Sequence, residues 1–300
     1  WERGSVAKLR IGYLSADFRD HPVAHVFRTF LRAHNRERFD VVLYSYGGND
    51  GSDYAQECME LADNFVDLSN VSITEAAKRI HEDGIHVLVD LMGHTKANRL
   101  AILSLKPAPI QACYLGYPST TGADFVDYLI ADETVAPHES AACFSETLAY
   151  LPHCYHPIDP TPFSHVPAYT RADFGLPDDG LVVMSLNQPL KLEGIMFERW
   201  LNILRRVPSA VLWLVGMPEP AQANILGFAT RHSIDESRIV FAPRVDTKAQ
   251  HLRRLQLADL YLDPRIYNGH TTACDALVAG VPVLTLQGHH FASRVSASSL

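Results

Sequence analysis

Strand-like runs alternate with amphipathic helical segments along this chain, and the alternation is interrupted once. In the first half, residues 9–15, 39–46, 86–92, 111–116 and 127–132 read as strands, with helices over 23–33, 53–62 and 72–83 between them. Ile73, Ala76, Ala77 and Ile80 fall at helical spacing, and Ser72 with Glu75 fits a capping-box start. In the second half, strands over 181–187, 210–216, 238–242, 259–263 and 282–286 alternate with helices over 195–207, 220–231, 248–257 and 271–279. This order predicts mostly parallel sheets covered by helices on both faces. The interruption is YHPIDPTPFSHVPAYT (155–170), where Pro157, Pro160, Pro162 and Pro167 can neither continue a helix nor enter a central strand. The expected fold class is therefore α/β, with two doubly wound, Rossmann-like domains facing each other, over 1–165 and 166–300. The chain opens WERGSVAK without an initiator Met and stops at SRVSASSL inside a helical pattern, so the natural domain is expected to continue past residue 300.

Composition narrows the function classes. A chain of 300 residues can bury two proper cores. It contains no apolar run near the ~18–20 residues of a membrane helix. The net charge of −8 argues against a general nucleic-acid binder. Five scattered cysteines, with no C-x-x-C pair, read as reduced thiols of a cytoplasmic protein. No pair of histidines has the spacing and intervening Glu of a zinc helix.

Six polar clusters follow strands, at the edge where doubly wound sheets bind ligands. In NGHTTACDAL (268–277), His270, Thr271 and Thr272 fall at a predicted helix start, where free N–H groups and the helix dipole attract phosphate. Asp275 lies one turn on, placed for ribose hydroxyls; the plainer reading makes a threonine the helix cap. In SLNQPLK (185–191), Gln188 and Lys191 follow a strand, and a lysine there would neutralise charge on a departing diphosphate. Lys248, His251 and Arg254 recur along one helix face, suited to a phosphate, a base face and a base edge, or simply to solvent. In the first half, SADFRDHPVAH (15–25) crowds Asp17, His21 and His25 into a strand-to-helix turn. GHTKAN (93–98) carries His94, Thr95 and Lys96, and YLGYPSTTGAD (114–124) carries Gly116 and Gly122, which allow close approach of backbone to ligand.

These segments, with RIHEDGIHVLVDLMGHTK, KPAPIQACYLGYPSTTGADFVDYLIAD and HLRRLQLADLYLD, resemble the catalytic region of the protein O-GlcNAc transferase family along essentially the whole chain. The resemblance implies a glycosyltransferase-B fold and metal-independent, inverting transfer of GlcNAc from UDP-GlcNAc to Ser or Thr hydroxyls of a protein acceptor, with no further cofactor. It assigns Lys191 to the leaving diphosphate and Gln188 to the nucleotide. Lys248, His251 and Arg254 go to uridine and phosphate, His270, Thr271 and Thr272 to the pyrophosphate, and Asp275 to the ribose. His21 and Asp17 fall near the reaction centre, and Thr95, Lys96 and Gly116 near the sugar. Upstream helical repeats are expected in the full-length protein, with neither nucleic acid nor membrane as a partner. Three positions depart from the animal enzymes: His94 and Leu190 stand for tyrosines and Tyr267 for a cysteine. The short proline-rich linker points to a bacterial-type homologue. GDP-fucose or UDP-glucose donors, a non-catalytic nucleotide-sugar binder and, more distantly, a sugar-nucleotide epimerase are the competing readings.

Overall fold

The computed structural model describes residues 8–159 and 162–300. Contacts divide the chain into two units, Trp1–Asp159 and Pro160–Leu300. The division falls inside the proline-rich stretch. Of its four prolines, Pro160 lies outside the described residues, and the other three lie in irregular chain.

The first unit is built on β1 (Leu9–Ser15), β2 (Phe39–Ser45), β3 (Asn64–Asp67), β4 (Val87–Asp90), β5 (Ile110–Cys113), β6 (Tyr128–Ala131) and β7 (Thr147–Tyr150). They form one parallel sheet in the order β3-β2-β1-β4-β5-β6-β7. Helices α1 (Pro22–Ala33), α2 (Asp53–Leu61) and α3 (Ile73–Glu82) make the crossovers from β1 to β4. Each starts where the sequence offers a cap. His21 precedes Pro22, whose missing N–H costs nothing at a first helical position. Ser52 accepts from the Ala55 N–H, and Ser72 and Glu75 form the expected capping box. Ala24, Val26, Phe27 and Leu31 of α1 and Ala76, Ala77 and Ile80 of α3 are buried, as their spacing requires.

Two strands escaped the sequence reading. The edge strands β3 and β7 are four residues each and between them bury only Val66 fully, too little for a periodic signal. Two expected strands end early. The segment read as 86–92 stops at Asp90 because the Asp90 carboxylate accepts the N–H groups of Met92 and Gly93, at 3.2 and 2.6 Å, and turns the chain. The segment read as 111–116 stops at Cys113; Leu115 has φ +71°, and Gly116 then lies so close to the Leu91 carbonyl that any Cβ would collide with it.

The second unit carries β8 (Val182–Ser185), β9 (Val211–Val215), β10 (Ile239–Ala242), β11 (Leu260–Leu262) and β12 (Val283–Leu284), parallel and in the order β10-β9-β8-β11-β12. Helices α4 (Gly194–Arg206), α5 (Glu219–Arg231), α6 (Lys248–Leu255) and α7 (Thr271–Val278) connect them, and α8 (Val295–Ser299) follows. Alternation along β9 sends Val211 and Trp213 into one core, with Met184, Tyr261, Leu252 and Leu255. Leu212 and Leu214 enter the other, with Phe197, Trp200, Leu201 and Leu204 of α4. In each unit the strand order reverses direction from a central pair, β1 with β4 and β8 with β11. The loops after those strands therefore flank a switch point, the usual place for a ligand.

Candidate functional site

In the second unit the two switch-point loops are tied together by a lysine. Lys191 closes a short turn after β8, Pro189–Lys191. Its Nζ donates to the Asn268 carbonyl, beyond β11, at 2.6 Å and sits 4.2 Å from the centroid of the Tyr267 ring. Burial pushes this ammonium down to about 8, against the pull of the Asp263 charge. The β11 loop is itself pinned. Asp263 accepts the Gly269 N–H at 2.6 Å and the Thr285 hydroxyl at 2.7 Å. Asn268 donates to the Pro264 carbonyl at 2.8 Å. Gly269 packs on the Tyr261 hydroxyl with no room for a Cβ. The loop delivers His270, Thr271 and Thr272 to the start of α7, as the sequence implied. The N-cap is His270 rather than a threonine, and no side chain caps the helix. His270 holds φ +45° and ψ −118°, a conformation that costs a non-glycine residue on the order of 1–3 kcal/mol and that tends to occur at functional sites.

One turn into α7, Asp275 meets α6. Lys248 Nζ lies 2.5 Å from both Asp275 carboxylate oxygens, and His251 Nε2 lies 3.5 Å from one of them. Sequence reasoning sent Lys248 to a phosphate and Asp275 to a ribose; the structure makes them partners of each other. Burial raises the Asp275 pKa, but His251 and Lys248 outweigh it and hold the carboxyl below the ordinary range. The His251 pKa is lowered as well, because burial disfavours the imidazolium more than Asp275 favours it. Arg254 donates to His251 Nδ1 at 3.0 Å and to the Pro243 carbonyl, so the neutral ring carries its proton on Nε2, toward Asp275. Gln188 stands apart: it is exposed and opens the Lys191 turn through its backbone carbonyl.

The first unit repeats the plan. After β1, Asp17 is buried, with its carboxylate 3.4 Å from both His21 Nδ1 and the Arg19 guanidinium. His21 caps α1, accepting the Val23 N–H at Nδ1 over 3.3 Å. Burial lowers its pKa, with Asp17 and Asp20 opposing. Across the switch point, Thr95 donates to the Met92 carbonyl at 2.8 Å and Lys96 is exposed. His94 donates from Nε2 to the Thr121 carbonyl at 2.8 Å, which joins this loop to the Gly116–Gly122 loop. Glu146, missed in the sequence, anchors the far side by accepting from the Thr121 N–H and the Thr120 hydroxyl, at 2.6 and 2.7 Å.

Two further residues were overlooked, and they are counterparts. Asp90 ends β4 and Asp263 follows β11, and each binds a glycine N–H in the loop beyond at 2.6 Å. The available signal was an aspartate closing an apolar run, as in VLVD and LYLD. Burial pushes Asp90 up to about 6 from the ordinary 3.8. A raised acid binds its proton more tightly in the folded state, so this contribution to stability is complete below about pH 3.8 and is lost as pH rises through about 6. The whole effect is about 3 kcal/mol. Asp90→Asn should therefore lose that part of the pH dependence, read as urea-unfolding free energy at pH 5 and 7.5. Parallel curves for the two proteins would refute it.

The sequence profile of glycosyl transferase family 41 matches residues 2–167 and 159–300, essentially the entire chain. The chain belongs to glycosyl transferase family 41. Among its relatives, SEC of Arabidopsis thaliana, named for UDP-N-acetylglucosamine–peptide N-acetylglucosaminyltransferase activity, is 39% identical over 98% of this chain and 31% of its own length. The Caenorhabditis elegans protein of that name is 31% identical over 98% of this chain and 35% of its own. The O-GlcNAc transferase of Thermobaculum terrenum, solved as its K341M mutant, superposes with a TM-score of 0.88 at 28% identity, over 98% of this chain and 55% of that one. The chain thus spans about a third of the length of these curated family 41 relatives.

Proposed function

We propose that this family 41 chain transfers N-acetylglucosamine from UDP-N-acetylglucosamine to serine or threonine hydroxyls of proteins, with inversion and without a metal ion. The observation that carries the proposal is the placement of Lys191. Its half-buried ammonium is bonded to the segment that opens α7. In the reaction the acceptor oxygen bonds to the anomeric carbon, the bond from that carbon to the diphosphate oxygen breaks, and UDP leaves with the electron pair. Charge therefore builds on the diphosphate. A fixed ammonium and the free N–H groups of a helix start are what stabilise such charge in a dry site. The Lys248–Asp275–His251 group would hold the nucleoside with Arg254 beside it, and Gln188 would meet the nucleotide from the exposed turn after β8. His21, whose imidazolium burial disfavours, and Asp17 beside it would lie near the reaction centre. Thr95, Lys96 and the close-packed Gly116 backbone would border the sugar.

The names of the relatives support this donor and a protein acceptor. A cytoplasmic location and upstream helical repeats complete the proposal. Among the described residues, no helix is long and apolar enough to cross a membrane.

Thermal unfolding of the full-length protein with UDP, GDP and UDP-N-acetylglucosamine tests it. Saturating UDP, at a hundred times its Kd, should stabilise by about 2.7 kcal/mol and raise Tm by several degrees. A GDP shift in place of a UDP shift would move the donor to a guanosine sugar. No shift with any of the three would remove the nucleotide site. Release of an epimerised sugar nucleotide, with no glycosylated product, would replace transfer by epimerisation.

A further inference from the structure

We infer that Tyr267 is a positioning residue for Lys191: the face of its ring holds the ammonium beside the segment that opens α7. The inference rests on the transfer reading of Lys191, but the contact itself can be tested without turnover. The Lys191 Nζ lies 4.2 Å from the ring centroid, inside the ~6 Å over which an aromatic face attracts a cation. The ring is braced in turn, with the His270 imidazole edge-on at 5.0 Å. A single carbonyl, that of Asn268, accepts one N–H and leaves the ammonium free to pivot about it. The ring face removes that freedom and directs a remaining N–H elsewhere.

The charged groups around Lys191 leave this task to the ring. Asp263 is the opposing charge, yet its carboxylate is committed to Gly269 and Thr285. Glu193, two residues past Lys191, is taken by Arg265 at 3.0 Å and by the N-terminus of α4. Burial disfavours the Lys191 charge, which makes a partner that stabilises the charged form more consequential here than on a surface. Leucine in place of Tyr267 would fill similar space without a quadrupole. Phenylalanine would keep the face and lose only the hydroxyl.

The test is NMR of the full-length protein with ¹³C-labelled lysine, no substrate present, paired with steady-state kinetics using UDP-N-acetylglucosamine and a protein acceptor. The Lys191 signal is the one absent from Lys191→Ala. In the wild type its ε-protons should show an upfield ring-current shift and titrate near 8. In Tyr267→Leu that shift should vanish and the titration should move to lower pH. The kcat should drop ~10-fold with KM changing less than ~3-fold, while Tyr267→Phe stays within ~2-fold of wild type. An unshifted Lys191 signal in the wild type overturns the inference whether or not the Tyr267 variants fold. A Tyr267→Leu protein with unmoved signal and titration also overturns it, as does a Tyr267→Phe protein impaired as far as the leucine variant. A ring-shifted signal that is lost in Tyr267→Leu, in an enzyme showing no transfer, would uphold the contact and remove the transfer reading instead.

Discussion

Lys191→Ala is expected to lower kcat for glycosyl transfer by ~10²–10³-fold while changing UDP affinity only a few-fold. The asymmetry follows from where the charge is needed. A bound nucleotide in the ground state keeps the helix start of α7 and the Lys248–Asp275 group, whereas the extra negative charge on the leaving diphosphate arises only as the sugar departs. An interaction realised chiefly at that point acts on kcat. The same residue sets a pH limit. Burial places its titration in the ligand-free protein near 8, so wild-type kcat/KM should fall as pH rises through about 8 and the ammonium loses its charge. The alanine variant should lack that alkaline limb. Single-turnover rates at saturating and at sub-saturating donor over several pH values, with UDP affinity measured separately, give both readings. Wild-type turnover in the alanine variant would end the assignment of Lys191 to the leaving group.

Asp275→Ala should destabilise the protein by about 3–5 kcal/mol, since it leaves Lys248 buried without its partner, and Lys248→Ala should cost less because His251 Nε2 still faces Asp275. Side-chain exposures of 7% for Lys248 and 10% for Asp275 put the pair in the class where this penalty applies. The double variant removes both charges and should be clearly more stable than the sum of the single losses predicts. Equilibrium urea unfolding of the four proteins closes the cycle. Additive losses would mean that the two side chains do not act as a pair. The UDP-induced rise in Tm should disappear in both single variants, which separates a nucleotide-binding role from a purely structural one.

Much of this was legible from residues alone, because the informative signals were local. Ser72 and Glu75 announce α3 by spacing, and uninterrupted apolar runs such as VVLYS announce strands buried on both faces. What escaped depended on tertiary partners. Asn64–Asp67 and Thr147–Tyr150 pair as strands only because a sheet edge is present to receive them. No spacing rule connects Lys248 to Asp275 across 27 positions, so each was assigned to a ligand before it could be assigned to the other. Asp90 and Asp263 were passed over because an aspartate after an apolar run reads as a strand end, and only the folded loop reveals which N–H group it holds. Tyr267 was noted as a departure from relatives; that its ring faces Lys191 depends on a turn whose shape the sequence does not state.

Each sheet is assembled from one continuous stretch of chain: the seven-stranded one lies within residues 9–150 and the five-stranded one within 182–284. During synthesis, every ladder partner of the first sheet has emerged before any strand of the second is made. The first unit can therefore close its hydrogen bonds on the ribosome without waiting for distant sequence. Within each unit, however, the central pair closes the longest stretch of chain between neighbouring strands. Strand β1 meets β4 only after some seventy intervening residues, and β8 meets β11 only after a comparable wait, so the switch-point loops of each unit come together only when that long gap is closed.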